Sequence, residues 1–192
     1  MQRSDETLSF LKTRRSAALS LLADPGPSKE ELTDLLTIAA RVPDHGRLEP
    51  WRFLVIKRKA GERIGLELEA LARRVFPDKI EEEYARERTR LSRAPMAVAV
   101  IYTPLEHPRI PEWEMFLSAG AATMNLVTAA TAMGFGANWI SGWWCDNAEG
   151  RALLGLEEHE RIAGVVHLGS IESPMEDRPR PDIAAKTSYL ED

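Results

Sequence analysis

Apolar positions along the chain fall into a few distinct rhythms, and each rhythm predicts an element. Ser28 and Glu31 have the form of a capping box, and Leu32, Leu35, Leu36 and Ala39 follow at one-face helical spacing. The resulting helix is expected to stop before Pro43, because proline disfavours helical backbone at the residue preceding it. Trp51 to Ile56 (WRFLVI), Met96 to Tyr102 (MAVAVIY) and Arg161 to Leu168 (RIAGVVHL) are short runs rich in branched and aromatic residues, the pattern of buried strands. Residues 60–93 set Ile64, Leu68, Leu71 and Val75, then Ile80, Tyr84 and Leu91, on helical faces amid dense charge. That predicts a helical excursion at the surface, with its run EEEYARERTR a solvated face.

From Glu112 to Met133 the pattern changes to a helix apolar almost all round, rich in small residues such as Ser118, Ala119, Gly120, Ala121 and Ala122. Such a helix needs cover on most sides. Two covers fit: burial inside one subunit, or a second copy of the protein, which small side chains allow to approach closely at a symmetric interface. Leu8 and Leu11 mark an N-terminal helix ending near Arg14, and a short helix is expected near Glu149 to Leu154. From Ser173 to Asp192 the chain carries Pro174, Pro179 and Pro181, so this C-terminal arm is predicted to cross a surface without regular structure before Ile183. A few strands mixed with long helices, without strict alternation, predict an α+β fold with helices flanking a small mixed β-sheet, in one domain over residues 1–192.

Composition narrows the function. With 44% hydrophobic and 29% charged residues in 192, the chain reads as ordinary globular protein, and a formal net charge of -5 argues against nucleic acid as a partner. The N-terminus lacks an apolar run of signal-peptide length, and the weakly polar stretch Phe116 to Trp139 is interrupted by Gly120, Asn125, Gly134 and Gly136. A cytoplasmic protein without membrane association is expected. The lone Cys145 has no second thiol to pair with and reads as a core filler, and the four histidines show no metal-ligand spacing, so no metal site is expected. GxGxxG between strand and helix, a Walker loop, HExxH and GxSxG are all missing. Gly134-Phe135-Gly136 follows a helix instead, where its first glycine suits a helix C-cap.

Three short tracts could carry chemistry. Arg14-Arg15-Ser16 offers two guanidinium forks and a hydroxyl, a donor set matched to a phosphate monoester, although adjacent arginines commonly just meet water. Pro43 to Trp51 (PDHGRLEPW) combines a turn, in which Asp44 can hydrogen-bond the backbone, with a strand entry at Pro50-Trp51. Gly134 to Gly142 (GFGANWISG) lets the backbone approach a flat ligand. Trp143-Trp144 either floors a cavity or packs in the core.

In this order, the three tracts resemble the nitroreductase family of flavin enzymes, in particular its minimal-length branch, over nearly the whole chain. The resemblance implies that Arg14, Arg15 and Ser16 hold the phosphate and ribityl chain of FMN, and that Trp139, Ile140 and Ser141 run beside the isoalloxazine ring. Arg41, Pro43, Asp44, His45, Pro50 and Trp51 agree with the branch pattern, which implies that Arg41 and His45 reach the flavin from the other subunit of a homodimer. The sequence departs from the wider family at Asp44, Arg47 and Glu49, from the branch at Ile140, and at Ala18, where many relatives carry a basic residue that stabilises reduced flavin. Arg41, His45 or Arg47 then supplies that charge, or the flavin is tuned to a lower potential. The implied activity is hydride transfer from NADH or NADPH through flavin N5 to a nitroaromatic, quinone or related oxidant, in a ping-pong scheme that names no catalytic side chain. Same-fold alternatives are a reductive dehalogenase, a flavin-modifying enzyme, or a weakly turning-over FMN-binding or regulatory protein.

Overall fold

The computed structural model describes residues 2–173 and 175–190, so Pro174 and the last two positions of the expected arm lie outside the described residues. Four strands form one sheet in the order β1-β2-β4-β3, namely β1 (Trp51–Lys57), β2 (Met96–Tyr102), β3 (Gly136–Ile140) and β4 (Arg161–Gly169). All three neighbouring pairs are antiparallel, so the sheet is not mixed. β3 was not anticipated as a strand. Its glycine-rich sequence lacks the branched run that marks the other three, and it forms by pairing with the inner strand β4 from Gly136–Gly169 to Ile140–Val165.

Alternation along β2 divides the core between the two sheet faces. Val98 and Val100 point to α2 (Lys29–Ala39) and α5 (Glu112–Ala132), packing with Leu35, Leu126 and Val127. Ala97, Ala99 and Ile101 point the other way, to Ile64 and Leu68 of α3 (Arg58–Val75) and to Trp144. α2 starts at the expected capping box, with both reciprocal bonds between Ser28 and Glu31 present. Trp144 is fully buried, Trp143 meets Phe76 edge to face at 5.1 Å, and Cys145 is buried among them. These three residues pack in the core on the α3 side of the sheet, directly after Gly142, and burial pushes the Cys145 thiol up from its ordinary pKa.

The charged excursion is less solvated than its sequence suggests. In α4 (Glu81–Arg88) Glu87 is buried and accepts from Arg90 Nη2 at 2.6 Å. Glu69 of α3 is also buried, and hydrogen bonds from Arg88 and Arg73 hold its carboxyl below the usual range. Arg88 and Arg90 of the run thus pair with the buried carboxylates of Glu69 and Glu87, while Glu81, Glu82 and Arg86 keep to the exposed side. Close approach is also needed at Gly61 and Gly65 of α3, where an added β-carbon would overlap the carbonyls of Leu91 and Arg88.

α5 has the length and apolar character of a membrane span, yet half of its most apolar window is buried against the sheet and α2. Its opposite side is open. Trp113 and Leu117 are 62% and 61% exposed, Met124 is exposed, and a β-carbon at Gly120 would meet nothing within 4 Å. α1 (Asp5–Thr13) buries none of its residues, leaving Leu8 and Leu11 exposed. One chain therefore leaves two apolar surfaces uncovered, and burial inside one subunit does not account for α5.

His167 on β4 is fully buried; its Nε2–H donates to the Arg90 carbonyl at 3.0 Å, and its Nδ1 has no partner. Burial lowers its pKa from 6.5 to about 4. Between those values the unfolded chain takes up a proton that the folded chain refuses, so acid favours unfolding. The stability at stake is complete above about pH 6.5 and is lost as the pH falls towards 4. Unfolding free energies from urea titrations at pH 7 and pH 5 are expected to differ by about 2 kcal/mol more in the parent than in His167→Gln, which keeps a donor but does not titrate. Equal losses in the two proteins would show that His167 does not set this dependence.

Candidate functional site

Two of the three tracts meet in one place. Arg14 caps α1 with its N–H on the Phe10 carbonyl at 2.8 Å, and the chain then turns so that Ala17 N–H donates to the Ala137 carbonyl of β3 at 2.9 Å. Asn138 closes the junction by donating its Nδ2–H to the Ala17 carbonyl. Gly136 makes the approach possible, because a β-carbon there would overlap Leu22 and Ile171. The segment after α1 is thereby locked against β3, and Arg14, Arg15 and Ser16 line a cavity of about 510 Å³ with Ala18 and Asn138.

The far wall of that cavity comes from the C-terminal arm, through Met175, Glu176, Arg178 and Arg180. Sequence reasoning did not single out Asn138, Arg178 or Arg180. The signal for the arginines lay in the run Arg178-Pro179-Arg180-Pro181, where proline keeps the backbone extended and presents two cations to one surface. Four guanidinium groups thus surround one cavity.

The two tract arginines have different duties. Arg15 donates its Nε–H to the Glu176 carbonyl at 3.1 Å, so it secures the arm. Arg14 has no such partner. Its Nε and Nη1 atoms are shielded from water and make no hydrogen bond among the described residues, and burial, then the charges of Arg180 and Arg15, press its pKa below the ordinary value. A shielded cation beside two others, without an acceptor, is the electrostatic mark of an anion site. Ser16 is exposed at the rim, where its hydroxyl is free to donate.

Trp139, Ile140 and Ser141 continue from Asn138 along β3 and beyond it. The Trp139 indole lies across Gly164 of β4 and Thr123 of α5, at a place where any β-carbon on residue 164 would overlap it. A register shift between Val100 and Ile101, opposite Ala163, bends the sheet beside this point. The backbone from Asn138 to Ser141 therefore runs away from the arginine cavity along the edge of the sheet.

The middle tract lies elsewhere in the same chain. Arg41 and His45 do not line the arginine cavity. His45 Nδ1 lies 3.1 Å from Glu114 Oε2 in the first turn of α5, and Arg41 is exposed just after α2, its carbonyl taking a 3.3 Å bond from Asn125. Ser118 of α5 donates to the Pro43 carbonyl at 2.6 Å, which ties the loop to the helix. Asp44 accepts from the Glu49 N–H at 2.8 Å, the turn role expected of it, and Trp51 packs against Tyr102 and Phe116 as well as the main core. Within the loop Arg47 and Glu49 hold left-handed backbone at φ 55° and 50°, conformations that cost energy for residues other than glycine.

Residues 11–170 match the model of the nitroreductase family. YdjA of Escherichia coli K12, a candidate NAD(P)H nitroreductase by name, is 36% identical over 165 residues, covering 86% of this chain and 88% of its own. A similarly named protein of Haemophilus influenzae is 34% identical over 166 residues, again covering 86% of this chain and 88% of its own. Among solved structures, a nitroreductase-like family protein from Bacillus cereus superposes with a TM-score of 0.79 at 24% identity, over 100% of this chain and 99% of that one. An FMN-bound nitroreductase from Bacteroides fragilis superposes at 0.73 with 22% identity, over 98% and 100% of the two chains. Sheet, long helix and the match over residues 11–170 agree, and this chain belongs to the nitroreductase family.

Proposed function

We propose that the protein is an FMN-dependent oxidoreductase acting as a homodimer, with NADH or NADPH as electron donor. The observation that carries this reading is Arg14, whose shielded Nε and Nη1 lack an acceptor beside Arg15, Arg178 and Arg180. A mononucleotide phosphate supplies the oxygens those donors need, and no carboxylate lines the cavity except that of Glu176. The FMN-bound relative of the same fold and the NAD(P)H in the relatives' names support the choice of cofactor and donor.

FMN, when bound, would supply the redox chemistry of hydride transfer from a nicotinamide to a nitroaromatic, quinone or related oxidant. The residues of this chain bind and orient. Arg14 and Ser16 hold the phosphate and the start of the ribityl chain, with Arg15 shared between the phosphate and the arm. Trp139, Ile140 and Ser141 border the ring, with Trp139 fixed by the space that Gly164 leaves. Arg41 and His45 belong to the site of the second copy, because α5 and α1 leave apolar faces that a partner covers and the middle tract is tied to that same helix. Glu114 orients the His45 ring through Nδ1, so Nε2 is the atom free to face a ligand. Ala18 places no charge at the flavin, and the exposed cations at Arg41, His45 and Arg47 are the chain's own candidates for stabilising negative charge at its N1 edge.

Purified protein is expected to be yellow and to bleach on anaerobic addition of NADH or NADPH, followed at the flavin absorbance band. A colourless protein that does not take up FMN would contradict the assignment, and a yellow protein inert to both nicotinamides would make it a flavin-binding protein instead. The variant Arg14→Met is expected to weaken FMN binding by about 10- to 150-fold, the loss of a charge-assisted interaction. Its ligand-free stability in urea is expected to be unchanged or higher, because the shielded charge without a partner is gone. Unaltered FMN affinity would remove Arg14 from the site.

A further inference from the structure

The C-terminal arm brings cations to the cavity together with an anion of its own. Past Met175, which packs on the cluster of Ala17, Leu22 and Ala94, no described residue of the arm is buried. Among the described residues its polar ties to the body run through Arg15, which donates to the Glu176 carbonyl and lies 3.9 Å from Asp177 Oδ1. The same carboxylate oxygen accepts from the Arg178 N–H at 2.8 Å and from Arg180 Nη2 at 2.7 Å. One oxygen of Asp177 thus takes hydrogen bonds from a backbone amide and one guanidinium with a second guanidinium 3.9 Å away, groups that a phosphate oxygen would also attract. The Asp177 side chain is 63% exposed, while Arg14, which lines the cavity, has no acceptor for Nε or Nη1 among the described residues.

Taking the arginine cavity as the phosphate site, on which this inference rests, we propose that Asp177 is an internal stand-in for the phosphate that couples the arm to cofactor binding. In the ligand-free protein Asp177 draws the arm to Arg15 and holds Arg180 within the arm. A phosphate monoester in the cavity draws on the same two cations, takes over the holding of the arm and repels the carboxylate. The arm is then a strap fastened more firmly by the cofactor than by the chain itself, and Asp177 lowers cofactor affinity by competing for its ligands. The arm's lack of other buried contacts is what leaves its position to this balance of charges.

The test uses the full chain, with FMN affinity measured by fluorescence quenching and hydrogen exchange followed at backbone amides 176–186. Asp177→Asn is expected to bind FMN and inorganic phosphate about 3- to 5-fold more tightly, the scale of one exposed ion pair. Without ligand its arm amides are expected to exchange faster than in the parent, and FMN or inorganic phosphate is expected to slow them in both proteins. Arg180→Gln is expected to speed arm exchange and weaken binding of both ligands. An Asp177→Asn variant that binds FMN equally or less tightly overturns the stand-in role, and so does arm exchange that ignores a bound ligand. A parent protein that binds phosphate and slows its arm, yet does not bind FMN, retains the strap and refutes the flavin reading. Tight FMN binding with an indifferent arm does the reverse.

Discussion

A guanidinium shielded from water without an acceptor stays in place only because the surrounding chain over-determines it. Arg14 is in that position. The end of α1, the Ala17–Ala137 backbone bond, the Asn138 amide and the close approach at Gly136 fix the backbone on either side of it. Two further cations, Arg15 and Arg180, raise the cost of keeping it charged. The rest of the molecule is the frame that holds this guanidinium beside its like-charged neighbours.

That frame has two unequal sides. On one, α3, α4 and the Trp143–Cys145 turn close over the sheet with paired carboxylates and aromatic packing. On the other, α5 fills the sheet with half its circumference and presents Trp113, Leu117, Gly120 and Met124 outwards. The strand β3, which carries the residues proposed to border the ring, runs along this second side, and so does the loop bearing Arg41 and His45. The loop that bears Arg41 and His45 is thus tied to the helix that leaves this apolar surface open.

Much of the frame was legible from residue order. The capping box at Ser28, the branched runs of β1, β2 and β4, the apolar length of α5 and the left-handed cap at Gly134 all follow from local rules that tertiary contacts reinforce. β3 was not legible because its identity depends on a partner strand from a distant part of the chain, and its glycines serve Leu22 and Ile171 rather than strand propensity. Glu87 was misjudged for a related reason: a charge reads as solvated until the arginine that neutralises it is known. In the site, the arginine tract was visible but its division of labour was not. Arg14 and Arg15 are equivalent as letters, and only the passage of the arm overhead gives one a carbonyl and leaves the other without an acceptor.

Subunit complementation tests most directly whether each site takes Arg14 from one chain and His45 from another. Dimers would be assembled from one Arg14→Met chain and one His45→Ala chain, with FMN stoichiometry measured against each variant alone. Convergence of two chains predicts one parent-like site per mixed dimer, because the second chain keeps Arg14 while the first keeps His45. Mixed dimers that bind FMN no better than the average of the two variants would contradict it.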